Sequence, residues 1–225
     1  MTASTPPGTS GSELPGTTEG RSTRKRREIT DAALALFLRN GYSNTSMDQV
    51  AADARVSKQT VYKHFEDKER LFHEIVRGVT RNSDHILNEL TAVVDDAPVG
   101  TAEELRNVLE QLARRYLDAV LQPHVISLRR LIIGEAERFP ELADHYYQQA
   151  PARGFELIET ALQRWVDQGL LAVPDLRLAA TQLSYLALGL AQDRAQFHPG
   201  QTPEPAERAK IAKAAASTFL AAYRR

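Results

Sequence analysis

The chain contains no cysteine. Disulfide staples, thiolate catalysis and cysteine-based zinc sites are therefore excluded. No stretch approaches the roughly 18 consecutive apolar residues that a membrane-spanning helix needs. The opening twenty residues, MTASTPPGTSGSELPGTTEG, have neither a basic start nor an apolar centre. They do not read as a secretory signal, so a cytoplasmic protein is expected. Period-two alternation rich in Val, Ile and Thr is missing too, and no sheet is expected. Neither a glycine-rich phosphate loop nor a nucleophile elbow is present. Glu141 and His145 stand four apart, but no third ligand follows at matching spacing, so neither metal nor cofactor is expected.

What is present is an ordinary globular composition over 225 residues, enough for one large domain or two small ones. The net charge of −1 hides an uneven distribution. Residues 21–70 hold 11 Lys and Arg against 7 Asp and Glu, while the remainder is acidic. A basic block of this kind suits a polyanionic partner.

The Pro/Gly/Ser/Thr tail, residues 1–20, cannot bury enough apolar area to offset its ordering entropy and is expected to be disordered. From Arg21 onward the pattern is helical throughout, predicting an all-α fold of about nine helices. The first runs from about Thr23 to Asn40, and Gly41 ends it. A second follows a cap at Thr45 or Ser46. A third, capped by Ser57, ends near Phe65. Glu66 and Asp67 open a long fourth helix whose apolar stripe runs from Leu71 to Val94. Later helices are expected near 102–121, 123–138, 141–168, 175–196 and 204–223, with Pro151 interrupting the third of these. The domains would be 21–68 and 69–225.

Three short helices, the second and third joined by a tight turn, have the layout of a helix-turn-helix. In that unit the last helix enters the DNA major groove. This gives a reason for the composition of VSKQTVYKHF (56–65). Val61 and Phe65, four apart, face inward. Ser57, Lys58, Gln59, Thr60, Tyr62, Lys63 and His64 are left outward, with groups suited to base edges and phosphates. RSTRKRRE, which includes Arg24 and Lys25, adds five basic residues near the same surface.

The segment RKRREITDAALALFLRNGYSNTSMDQVAADARVSKQTVYKHFEDKERLF resembles the DNA-binding domain of the TetR/AcrR family of transcriptional regulators. The resemblance implies a homodimer on a two-fold symmetric operator and a larger helical domain that binds a small molecule. It places Thr45, Ser46, Tyr62 and Lys68 at phosphate-contacting positions. Lys58, Gln59, Thr60, Lys63 and His64 fall on the recognition helix. RRLIIGEAERFPELADHYYQQAP (129–151) resembles the AefR-like subgroup of C-terminal domains.

The last two helices are apolar on more than one face. Leu176, Ala179, Ala180, Leu183 and Leu190 form one stripe of the penultimate helix, with Leu178, Tyr185 and Leu188 off it. The small residues Ala187, Gly189, Ala191, Ala214 and Ala216 permit close helix approach. This pattern suits a four-helix dimer interface or, alternatively, a monomeric core; the resemblance favours the dimer. Aromatics and isolated polar residues mark a candidate ligand region: Tyr116, Ile126, Arg130, Ile133, Tyr146, Phe155, Trp165, Gln182 and Tyr185. The expected function is a repressor released from DNA by a small molecule. A constitutive DNA-binding protein is the alternative, and an all-helical enzyme is disfavoured by the lack of a catalytic constellation.

Overall fold

A computed structural model describes residues 20–81, 83–96 and 99–224, without the side chains of residues 81 and 83. The expected disordered tail, residue 20 apart, and residues 97–98 of the predicted break lie outside the described residues.

The DNA-reading unit expected from the sequence is built from α1 (Arg21–Asn40), α2 (Met47–Asp53) and α3 (Lys58–His64). The predicted long fourth helix is described as α4 (Lys68–Arg81) and α5 (Ser83–Asp95), with residue 82 outside the described residues. There follow α6 (Ala102–Val120), α7 (Pro123–Gly134), α8 (Pro140–Tyr147), a π-turn (Gln148–Ala152), α9 (Arg153–Asp167), α10 (Leu176–Phe197) and α11 (Pro205–Tyr223). Every described element is helical, apart from one isolated bridge between Leu171 and Arg224.

Local chemistry sets the boundaries. Ser46 and Gln49 form a reciprocal capping box at α2, and Thr101 and Glu104 form another at α6. Ser57 Oγ accepts from the Thr60 backbone N–H at 3.1 Å to start α3. Asp67 accepts from Arg70 N–H at 2.8 Å to start α4. Gly41 closes α1 with φ of 81°, a value that costs glycine little. Pro151 lacks an N–H and would clash with the carbonyl four residues back. The widened π-turn absorbs that conflict between α8 and α9.

Two apolar cores result. One joins α5, α6, α9, α10 and α11 around Leu105, Leu109, Leu117, Leu162, Trp165 and Phe219. The other surrounds Ile29, Phe37, Val50, Val61 and Phe65 of the N-terminal helices. It continues through Leu71, Phe72 and Ile75 of α4 into Leu128, Ile132, Leu142 and Tyr146 of α7 and α8. Aromatic rings join the pieces: Phe37, Tyr42, Phe72 and Phe139 pack with centroids 4.9–5.7 Å apart. The N-terminal unit therefore shares its core with the rest of the chain.

On α10 the inward residues are Ala179, Ala180, Leu183, Ala187, Leu188 and Ala191. Of the stripe read in the sequence, Leu190 is 77% exposed, while Leu188, read off that stripe, is buried. The buried positions drift round the helix along its length, from Ala179, Ala180 and Leu183 to Ala187, Leu188, Ala191 and Ala195, and leave Leu190 outside them although it lies only about two turns beyond Leu183. With Leu186 and Phe197 it forms an exposed apolar face, while Leu178 and Tyr185 are exposed further round the helix.

Candidate nucleic-acid interface and ligand cavity

Helix α3 is fixed from below by two side chains. Val61 is fully buried and Phe65 nearly so, and each contributes about 1.5–3 kcal/mol of burial energy. Arg26 of α1 adds a second attachment. Its guanidinium lies 4.5 Å from the Phe65 ring centre, donates to the His64 carbonyl at 3.2 Å and approaches Glu74 at 3.5 Å. The turn before α3 is tight enough to hold Arg55 at φ of 53°.

On this support Ser57, Lys58, Gln59, Tyr62 and Lys63 are exposed, with Thr60 and His64 half-buried. Lys58 pairs with Asp48 of α2, and that hydrogen bond raises its pKa. The pair is open to water and worth little, so a phosphate or base can displace it. Ser46 is exposed beside its capping box. At the start of α1, Arg24 pairs with Glu28 at 3.2 Å and Lys25 is half-exposed.

Two of the residues expected to contact phosphate have internal partners for their side chains. Thr45 is 2% exposed, and its hydroxyl donates inward to the Gly41 carbonyl at 2.9 Å. It ties down the loop before α2 and offers no side-chain oxygen to DNA. Lys68 is likewise engaged. Its Nζ donates to the carbonyls of Tyr42 at 2.9 Å and Thr45 at 2.8 Å, and lies 4.3 Å from the Tyr42 ring centre. Burial lowers its pKa, Arg138 adds to that effect, and Glu135 opposes it. Lys68 is thus a clamp between the start of α4 and the α1–α2 loop.

A cavity of about 300 Å³ lies between α4, α5, α6, α7, α9 and α10, at the small end of the range for small-molecule sites. Four residues of the predicted ligand region line it: Tyr116, Tyr146, Phe155 and Tyr185. The other five do not. Trp165 and Ile126 are packed in the C-terminal core, 1% and 4% exposed. Ile133 faces outward away from the cavity. Arg130 donates to the carbonyls of Ala195 and Gln196, both at 2.9 Å, covering acceptors at the end of α10. Gln182 accepts a hydrogen bond from the Tyr223 hydroxyl.

Sequence reasoning missed Arg129, which does line the cavity. The signal was there: Arg129 lies on the same helical stripe as Val125, Leu128 and Ile132, a lone cation on an apolar face. Burial pushes the Tyr116 phenol up to about 12, so its hydroxyl stays neutral. Burial also raises Tyr146, and the neighbouring Arg129 partly offsets this. Gly154 of α9 is required where it stands. A Cβ there would come within 2.9 Å of the Tyr116 hydroxyl oxygen.

The cavity touches the N-terminal unit directly. Leu34 of α1 and Val79 and Thr80 of α4 form part of its wall. Leu128 and Tyr146 belong both to that wall and to the core around α1–α3.

Comparison with known proteins agrees with this arrangement. Residues 29–75 match the profile of the TetR family of bacterial regulatory proteins, and residues 107–225 that of the AefR-like transcriptional repressor C-terminal domain. The transcriptional regulator SrpR of Pseudomonas putida is 29% identical over 207 residues, covering 92% of this chain and 87% of its own length. The crystal structure of a TetR-family regulator from Mesorhizobium loti superposes with a TM-score of 0.80 at 36% identity. That match covers 92% of this chain and all of the other. The flavonoid-responsive regulator FrrA gives a TM-score of 0.62 at 30% identity, over 89% of this chain and 97% of its own. A fold, a supported but outward-facing third helix and these two matched profiles converge: the chain belongs to the TetR family of DNA-binding transcriptional regulators, with a C-terminal domain of the AefR-like repressor class.

Proposed function

We propose that this protein is a cytoplasmic repressor that binds a two-fold symmetric operator as a homodimer and is released when a small molecule fills the cavity. The observation that carries the release mechanism is the shared wall. α1 and α4 contribute to the cavity, and α4 is clamped through Lys68 to the loop that precedes α2. A ligand that displaces Val79 or Thr80 therefore bears on the placement of α2 and α3. Release requires that the ligand bind the DNA-incompetent arrangement better, and the shift equals that difference in affinity.

Phosphate contacts would come from Ser46, Ser57, Tyr62 and the basic residues Arg24 and Lys25. Lys58, Gln59, Thr60, Lys63 and His64 supply the reading face. The dimer would form through α10 and α11. Support comes from the exposed apolar face of α10 and from the small exposed residues Ala214, Thr218, Ala221 and Ala222 of α11. Clustered exposed apolar side chains of this kind suit an interaction surface. FrrA responds to flavonoids, and a small aromatic effector for this chain would fit the ring-lined wall.

A mobility-shift assay on DNA upstream of the protein's own coding region tests this reading. Retardation of that fragment, and its loss when metabolite extract is added, is the expected result. Equal retardation of random DNA, insensitive to any extract, would refute it.

A further inference from the structure

The cavity wall carries charge of one sign. Arg129 projects into it from α7 with Nε buried and without a hydrogen-bond partner. It forms no ion pair among the described residues, and no Asp or Glu stands among the described lining residues. His124 is the other basic side chain there. The half-buried guanidinium also hydrogen-bonds the Tyr146 side chain, but it gains no internal counter-charge, and its buried Nε stays unpaired at a cost. Its planar fork suits a carboxylate or similar anion supplied from outside. The neighbouring wall is aromatic. Phe155 and Tyr185 lie nearly parallel, 21° apart with centroids at 6.4 Å, and Tyr116 and Tyr146 stand nearby.

Resting on the reading of this cavity as the effector site, we propose that the effector is an aromatic weak acid bound as its anion, its acidic group on Arg129 and its ring against Tyr116, Phe155 and Tyr185. The Tyr116 hydroxyl, held neutral by burial, remains a donor to that anion rather than a competitor for the guanidinium. An aromatic cation of the same shape would meet Arg129 with no acid to balance it. The cavity selects against it by repulsion as well as by lack of attraction.

The test uses the full-length protein and three probes of one shape: naphthoate, naphthamide and naphthylmethylammonium, titrated by calorimetry at neutral pH. Naphthoate should bind at least about tenfold more tightly than naphthamide, as a charge-assisted pair with Arg129 implies. The ammonium probe should bind most weakly. Arg129→Gln should erase the preference for naphthoate over naphthamide, and Arg129→Lys should retain part of it. If Arg129→Gln fails to fold, the order of the three probes on the unaltered protein still decides. Naphthamide binding as tightly as naphthoate, or a preference that survives Arg129→Gln, would overturn the acid class yet leave the cavity an effector site. Binding of none of the three would overturn both.

Discussion

Replacing Lys68 with methionine separates two roles for one side chain. Methionine keeps most of the aliphatic stem and removes the ammonium. Lost with it are two short hydrogen bonds, to the Tyr42 and Thr45 carbonyls, and the contact with the Tyr42 ring. A hydrogen bond from a charged donor contributes about 1.5–3 kcal/mol when buried, but Lys68 is half-buried and water can reach the freed carbonyls. About 2 kcal/mol for the pair, with roughly 0.5 kcal/mol for the cation–π contact, is the appropriate scale. For a chain of this length that lowers Tm by roughly 5–10 °C. Calorimetric melting measures the loss. DNA titrations at several salt concentrations measure the other role. Each neutralised phosphate contributes about 0.9 to the slope of log affinity against log salt. A clamp predicts lower stability, an unchanged slope and weaker operator binding through a misplaced α1–α2 loop. An unchanged Tm with a slope reduced by about one unit would refute the clamp and restore a phosphate contact.

Gln59→Ala should narrow the gap between operator and random DNA by about 1–3 kcal/mol, the scale of one base contact, read by competition anisotropy. Equal loss on both DNAs would mean that Gln59 touches backbone. Gly154→Ala should force Tyr116 into the cavity and weaken ligand binding; adding Tyr116→Phe, which removes the colliding oxygen, should restore part of it in the same titration. Leu190→Glu places a charge in the middle of the exposed face of α10 and should yield a folded monomer with greatly reduced operator affinity. Sedimentation showing an intact dimer would move the interface elsewhere.

The parts of the fold legible in the sequence are those governed by neighbouring residues. Ser46 and Ser57 cap helices because their hydroxyls reach backbone N–H groups within one turn. Pro151 interrupts a helix because of its own ring. Val61 and Phe65 face inward because four residues make one turn. What failed depends on which way a helix is turned in the assembled protein. Arg129 and Arg130 are adjacent in sequence, yet about 100° apart around α7. One enters the cavity and the other covers the end of α10. Trp165 and Tyr116 are both buried aromatics, and nothing local distinguishes a core filler from a cavity wall. Lys68 and Thr45 sit at family positions associated with phosphate, but their polar atoms are already used by carbonyls brought close by the α1–α2 loop. Leu183 and Leu190 share one stripe of α10, yet the first is buried and the second exposed, and periodicity cannot say where along the helix the chain covers that stripe itself.

The central claim is that α3, presented twice by a dimer, reads DNA. Hydroxyl-radical footprinting on a site selected from random sequence by the full-length protein tests it most directly. The account predicts two protected half-sites related by two-fold symmetry, with centres one helical turn of roughly 34–36 Å apart or a multiple of it. Both should disappear together in Gln59→Ala with Tyr62→Phe. A single protected patch without symmetry, or selection that yields no preferred sequence, would contradict it.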